Sequence, residues 1–236
     1  MSARRVIMDP YRKGIFIGVF VVLSVSAPFS AGAQSNCASN SDASAYRKEP
    51  SDRIDLRHLA VSRPFSGSGN LDLTICAGEV RLLPSTDGRL HLDVELRGVP
   101  PVDLASYVTR LDVGSKEGRI QLAFTKAQRA FIALRIPSTN QLHSVTRLGA
   151  GELSARGDSP RGDRELEVGS GSITLYLKGN SQFASLAANV AIGSFHVRRP
   201  GGTSSHFAVK RVIEGSGRGQ IAAEVGSGSI NLLPEE

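Results

Sequence analysis

Along this chain, apolar and polar residues alternate in short runs, and the runs start from glycines. After Gly78, Gly118, Gly171, Gly193 and Gly228 the residues two and four positions on are apolar: Val80 and Leu82, Ile120 and Leu122, Ile173 and Leu175, Phe195 and Val197, Ile230 and Leu232. Gly88, Gly151 and Gly219 start runs of the same kind. Period-two apolarity after a glycine predicts a short β-strand with one buried face, so Ile173 is expected inward between outward Ser172 and Thr174. The word Glu-Val-Gly-Ser-Gly-Ser-Ile occurs twice, at 167–173 and 224–230. Such repetition predicts units that bury their apolar face only by stacking on one another.

Spacing sharpens the expectation. From Gly151 to Gly171 is 20 residues and from Gly171 to Gly193 is 22. A β-solenoid, or β-helix-like stack of short strands joined by Gly-rich arcs, repeats at about that length. The alternative is an antiparallel β-sandwich, which also places turns at intervals of about 8–12 residues and fits 55–137 best. Further alternating runs at 71–75, 90–96 and 131–136 reinforce an all-β class. Residues 102–113 are the one plausible short helix. The last copy, 224–233, is expected to close the open end of the stack, with Pro234, Glu235 and Glu236 blunting its edge.

The first 33 residues follow a different logic. Arg4, Arg5, Arg12 and Lys13 precede an apolar run from Gly14 to Val25, then Pro28 and Ala31-Gly32-Ala33. This order predicts a secretory signal peptide cut between Ala33 and Gln34, leaving no stable membrane span. The run is shorter than the ~20 residues of a spanning helix. The expected organisation is therefore a signal peptide over 1–33, a flexible lead-in over 34–54 and a β-repeat domain over 55–236. An exported chain resides in the periplasm, at the cell surface or in the medium. Its two cysteines, Cys37 and Cys76, would meet an oxidising compartment and form one disulfide.

Removing the leader takes away four basic residues and one acid, Asp9, so the net charge falls from +6 to +3. With no Trp and this small charge, the chain lacks a nucleic-acid footprint. Chemistry is equally sparse. The residues after the motif glycines include Glu79, Arg89, Arg119, Glu152, Ser172, Ser194, Gln220 and Ser229, which make no carboxylate column for general acid/base work. Glu167 and Glu224 share a register, but Asn189 and Gly215 stand there in the copies between them. The five histidines (His58, His91, His143, His196 and His206) lack paired metal spacing. The Gly-Ser-Gly clusters run into strands, not into the helix N-terminus that a phosphate loop needs. Arg156-Gly157-Asp158 and Arg161-Gly162-Asp163 read as an exposed turn between strands. No enzyme, cofactor or metal is expected.

The order Ile132–Ile136-Pro137, Leu142, Gly149-Ala-Gly151-Glu-Leu153 and Gly157-Asp158, with Leu166–Leu175 beyond it, resembles the bacterial putative-adhesin family of β-strand repeats. The likeness spans about 60–233. It implies an exported, solenoid-like envelope protein of structural, adhesin-like or binding role. The implied partner is an envelope polymer or protein, with self-association open. A carbohydrate-active or glycan-binding β-helix protein is the alternative. The exported chain should begin at Gln34, which its intact mass tests; a mass that retains Met1 would mean an uncut leader.

Overall fold

The structure, a computed structural model, describes residues 48–66, 69–97, 103–137, 142–156, 162–199, 202–207 and 209–235. The expected leader, the expected Ala33–Gln34 junction, Cys37 and the centres of the two Arg-Gly-Asp segments (157–161) lie outside the described residues.

Thirteen strands form one mixed, open sheet. Five of them are long and built alike: β3 (Gly69–Ser85), β8 (Leu142–Arg156), β9 (Arg164–Leu177), β10 (Ser185–Arg199) and β13 (Gln220–Pro234). They pair in parallel in the order β3, β8, β9, β13, β10. In that order Gly78, Gly151, Gly171, Gly228 and Gly193 stand side by side across the sheet. All five have φ between +134° and +149°, a conformation open in practice to glycine alone.

This glycine line resets the alternation. In β9 the buried residues are Leu166 and Val168 before the glycine, then Ile173 and Leu175 after it; in β13 they are Ile221, Ala223 and Val225, then Ile230 and Leu232. Val168 and Ile173 are five apart, and a flat strand would turn them to opposite faces. Both are buried because the chain bends at Gly171. Chain length requires the bend. Register sets Arg156 beside Tyr176 and Arg164 beside Ser144. Eight residue steps from Arg156 to Arg164 reach at most ~28 Å. Running back along a straight β8 to Ser144 would take ~40 Å. Among the described residues there is no α-helix to cover the buried face. The inner face of one half therefore packs on the inner face of the other, in one core.

At each side of the five-strand block the two halves take different partners. The first half of β3 pairs with β6 (Glu117–Leu122), which pairs antiparallel with β5 (Val108–Val113). The second half of β3 pairs in parallel with β7 (Ala130–Pro137). From β7 the sheet continues antiparallel through β4 (Arg89–Leu96) and β2 (His58–Pro64) to β1 (Arg53–Ile54). On the far side, β10 pairs antiparallel with β11 (Gly202–Phe207) along its second half and with β12 (Lys210–Glu214) along its first.

The all-β class is as the pattern indicates, and the successive copies at Gly151 and Gly171 do stack, β9 on β8, but the later copies do not follow in chain order. β13 inserts between β9 and β10, so the last copy is central and Pro234 lies beside Leu177 instead of at an edge. The spacing of about twenty residues is that of one long strand, bent at its glycine into two halves, plus a short return. Antiparallel pairing does occupy much of 53–137, yet β3 meets β6, β7 and β8 in parallel. The helix expected over 102–113 is a single 3-10 turn, Leu104–Tyr107, followed by β5. Asp103 caps that turn by accepting from the Ala105 N–H (3.1 Å), and β-branched Val108, Thr109 and Val113 then favour a strand.

The end of the expected lead-in is also built in. Arg53 and Ile54 extend the sheet, and buried Asp52 accepts from the Arg63 guanidinium (2.7 Å), which also reaches Glu49 at 3.1 Å. Losing one partner of a buried pair like this costs about 3–5 kcal/mol.

Other motif glycines lie off the line. Gly118 sits within β6 opposite Leu71, Gly219 leads into β13 with φ +81°, and Gly88 turns β3 into β4 with φ +69°. A Cβ on Gly171 would lie 1.8 Å from the Gly151 carbonyl oxygen, whereas one on Gly88 would meet nothing within 4 Å. Gly171→Ala should therefore cost at least about 3 kcal/mol, and Gly88→Ala about 1 kcal/mol. Chemical denaturation of the two variants tests this; equal losses would mean that the glycine line is not a close-contact ladder.

Candidate functional site

Because the five long strands share one register, their outward side chains fall into rows. One step after the glycine line the row reads Glu79, Glu152, Ser172, Ser229, Ser194. Three steps after, it reads Arg81, Ser154, Thr174, Asn231, His196, and β11 adds Ser205 beside His196. Strands lie about 4.8 Å apart, so this half of the outer face is a regular lattice of short hydroxyl and amide groups. Tyr176 borders it, with the Arg156 guanidinium 6.0 Å from its ring centre.

Toward β2 the lattice gives way to two adjoining depressions that share Glu79 and Phe131. One, of about 320 Å³, is lined by Arg81, Asp93, Glu95 and Arg97 as well. Its ring, Phe131, lies under the Arg97 guanidinium, 4.1 Å from the ring centre. The other, of about 400 Å³, follows the glycine line, with Lys126, Arg129 and Glu152 around the backbone of Gly78, Gly151 and Gly171. Arg129 holds φ +43° there, the one positive-φ residue other than glycine among those described. The charges are largely paired within the face: Arg81 with Glu79 (Nε, 2.9 Å), Arg97 with Glu95 (2.7 Å), and Arg135 with Asp93.

His196 is the one histidine with neighbours suggestive of chemistry. Its Nε2 lies 2.7 Å from the Ser194 hydroxyl, and its Nδ1 meets the Ser205 hydroxyl. A nucleophilic serine needs a base oriented by a third group and N–H donors for an oxyanion. Here the third group is a hydroxyl, and the neighbouring backbone is committed to the β-ladders. The trio ties β11 to β10 through its side chains. His91 is likewise held by Asp87 of the β3–β4 turn, at 2.8 Å.

The adjacency of two carboxylate pairs escaped the sequence, since strand order is not chain order. Glu79 stands beside Glu152, and Glu167 beside Glu224. The residues separating Glu167 and Glu224 in sequence were expected to separate them in space; the insertion of β13 removes them. Burial raises the pKa of Glu167, and the Glu224 and Glu165 charges push the same way, against Arg147 at 3.2 Å. Among the described residues no group of three His, Cys, Asp or Glu side chains is placed to hold a metal.

Of the other residues singled out in the sequence, Cys76 lies on β3, half-buried, two residues before Gly78. Asp163 accepts from the Gln220 N–H (2.9 Å), so the carboxylate of the second Arg-Gly-Asp segment anchors the start of β13. No known protein family and no curated protein matches the chain. Among solved structures it is similar to a putative cell adhesion protein from Clostridium sporogenes ATCC 15579, at 13% identity and a TM-score of 0.45, over 75% of this chain and 99% of that one.

The Glu167–Glu224 contact has a measurable sign. A carboxyl whose folded pKa exceeds its unfolded value binds more protons in the folded state between the two values. Its contribution therefore favours the fold at low pH and declines as pH rises through that window. Glu224→Gln removes a like charge, so it should stabilise the protein at pH 7 by roughly 0.5 kcal/mol, or about 1–2 °C. It should also flatten the fall in stability above pH 4.5, the ordinary value for Glu167. Melting curves from pH 4 to 8 test this; an unchanged slope would remove Glu224 as a cause.

Proposed function

We propose that this is an exported, non-enzymatic protein of the cell envelope with a structural, adhesin-like binding role, and that it works through the outer face of its second half-sheet. One observation carries the reading: Ser154, Thr174, Asn231, His196 and Ser205 hold an unbroken row across five adjacent strands, with Ser172, Ser229 and Ser194 parallel to it. A rigid array of small donors and acceptors suits an extended, hydroxyl-rich polymer, which can exchange water for many weak hydrogen bonds at little ordering cost to the protein. The mixed-charge depressions around Phe131 give such a chain a more selective end.

The leader pattern supports export, and the resemblance to the putative-adhesin family supports an envelope setting. In that setting Cys76 pairs with Cys37 and closes the lead-in onto β3. The reading needs no cofactor, nucleic acid or membrane span. A glycan-binding role is its nearest specific form, with the envelope polymer as ligand.

A glycan array with the purified protein tests it. Saturable retention should fall at least tenfold in Thr174→Arg, which intrudes on the middle of the row and spares the core. Retention of no glycan by a folded protein would overturn the polymer reading. Release of shortened glycan would overturn the non-enzymatic one.

A further inference from the structure

The margin formed by β10, β11 and β12 differs from the opposite side of the sheet. Across the sheet, β2 is covered by β1 and ends in Pro64, and β5 carries a register shift between Val108 and Arg110. Proline and bulges of this kind discourage edge pairing. Among the described residues β12 has neither, and nothing pairs with its outer side. Exposed apolar side chains gather at this margin: Ile192 (71%), Phe207 (82%) and Val212 (59%) are three of the four large exposed hydrophobics among the described residues.

The backbone of β12 fixes what it offers. The Val190 N–H donates to the Val209 carbonyl, and the Gly215 N–H to the Ala184 carbonyl. Both pairs follow the register that matches Asn189 with Lys210 and Ala187 with Val212. Odd-numbered residues thus direct their backbone groups at β10. By the alternation of an antiparallel ladder, Lys210, Val212 and Glu214 direct theirs outward. The side chains of the same three residues are exposed.

We propose that β12 is the interface of a two-fold dimer, in which a second copy of this chain pairs with it antiparallel, centred on Val212. That register sets Lys210 opposite Glu214 of the other copy, twice, and Val212 opposite itself. It also uses all six outward N–H and C=O groups of Lys210, Val212 and Glu214. Sliding the centre to position 211 would set Arg211 against its own copy, a like-charge pair that penalises the wrong register. The partner is a second copy because the strand is complementary to itself: + at one end, − at the other and apolar in the middle. Closure about a two-fold axis consumes the open edge of β12 in both copies, so pairing through this strand stops at two. This inference is independent of the polymer reading, since β12 belongs to the other half of the bent sheet from the hydroxyl rows.

The test is a charge swap read by sedimentation or light scattering of the purified protein across concentration. The parent should show a dimer that dissociates on dilution. Lys210→Glu or Glu214→Lys alone should weaken it at least about tenfold, because symmetry counts each change twice. Lys210→Glu with Glu214→Lys should restore it. Both sites are exposed, and unchanged circular-dichroism spectra would confirm that the variants fold. A parent that stays monomeric at millimolar concentration overturns the proposal. So does a dimer indifferent to the single changes, or a double variant that fails to recover.

Discussion

The close approach of five glycines is the constraint from which the rest of this structure follows. At each of Gly151, Gly171, Gly193 and Gly228 the position a Cβ would take lies within 1.9 Å of a neighbouring glycine's carbonyl oxygen. Only a chain without side chains at these points can bend there and keep its parallel ladder on both sides. The bend carries the apolar set before the glycine and the set after it into one core, which lets a protein with no α-helix among its described residues bury a sheet face. It also shortens the return from β8 enough for eight residue steps, Arg156 to Arg164, to reach the neighbouring parallel strand β9. Fold, register and connection length are consequences of one steric fact.

The repeated word has its meaning in space as well as in sequence. Glu167–Ile173 and Glu224–Ile230 are adjacent strands in register, so Val225 packs beside Val168 and Ile230 beside Ile173. Identical residues at matched depth make a layer of constant thickness, which suits a close-packed core. The same identity has a cost on the outer face, where Glu224 meets Glu167 and only Arg147 offsets the repulsion. Stacking like on like is favourable for apolar columns and unfavourable for charged ones. That explains why the outer rows lean on Ser, Thr and Asn, which tolerate a copy of themselves.

Much of this was legible in the sequence. The apolar residues two and four places after Gly78, Gly151, Gly171, Gly193 and Gly228 mark the second half of the long strands, and Ile173 is fully buried as that pattern requires. The first half was less visible because its apolar set, at three and five places before the glycine, is out of phase with the second. Reading the two as separate short strands joined by Gly-rich arcs placed a bend at the glycines but hid that one long strand runs through it, and made a stack of successive coils the natural expectation. Nothing local in 220–234 says that it will lie inside β10, because that choice is made by matching to β9 across the whole sheet. The carboxylate pairs were hidden for the same reason. Residues 102–113 misled by a different route: a capping aspartate and Leu104 look like a helix start, yet Val108 and the cross-strand contacts with β6 decide the outcome.

The central place of the last strand also shapes how the sheet can form. β10 pairs with β11 and β12 through local hairpins, but its other side has no partner until 220–234 arrive. β9 waits on the same segment, with only β8 beside it until then. The C-terminal strand therefore joins two blocks that are each incomplete, and its contacts are long in sequence separation, which slows assembly. The Gln220 N–H bond to Asp163, at the entrance to β9, ties the start of the last strand to the block that precedes it. Matching glycines at Gly171 and Gly228 then admit one close-packed register, since a slip by a single residue would press a serine Cβ against a carbonyl oxygen. The ladder that bends the sheet thereby also aligns the strand that completes it.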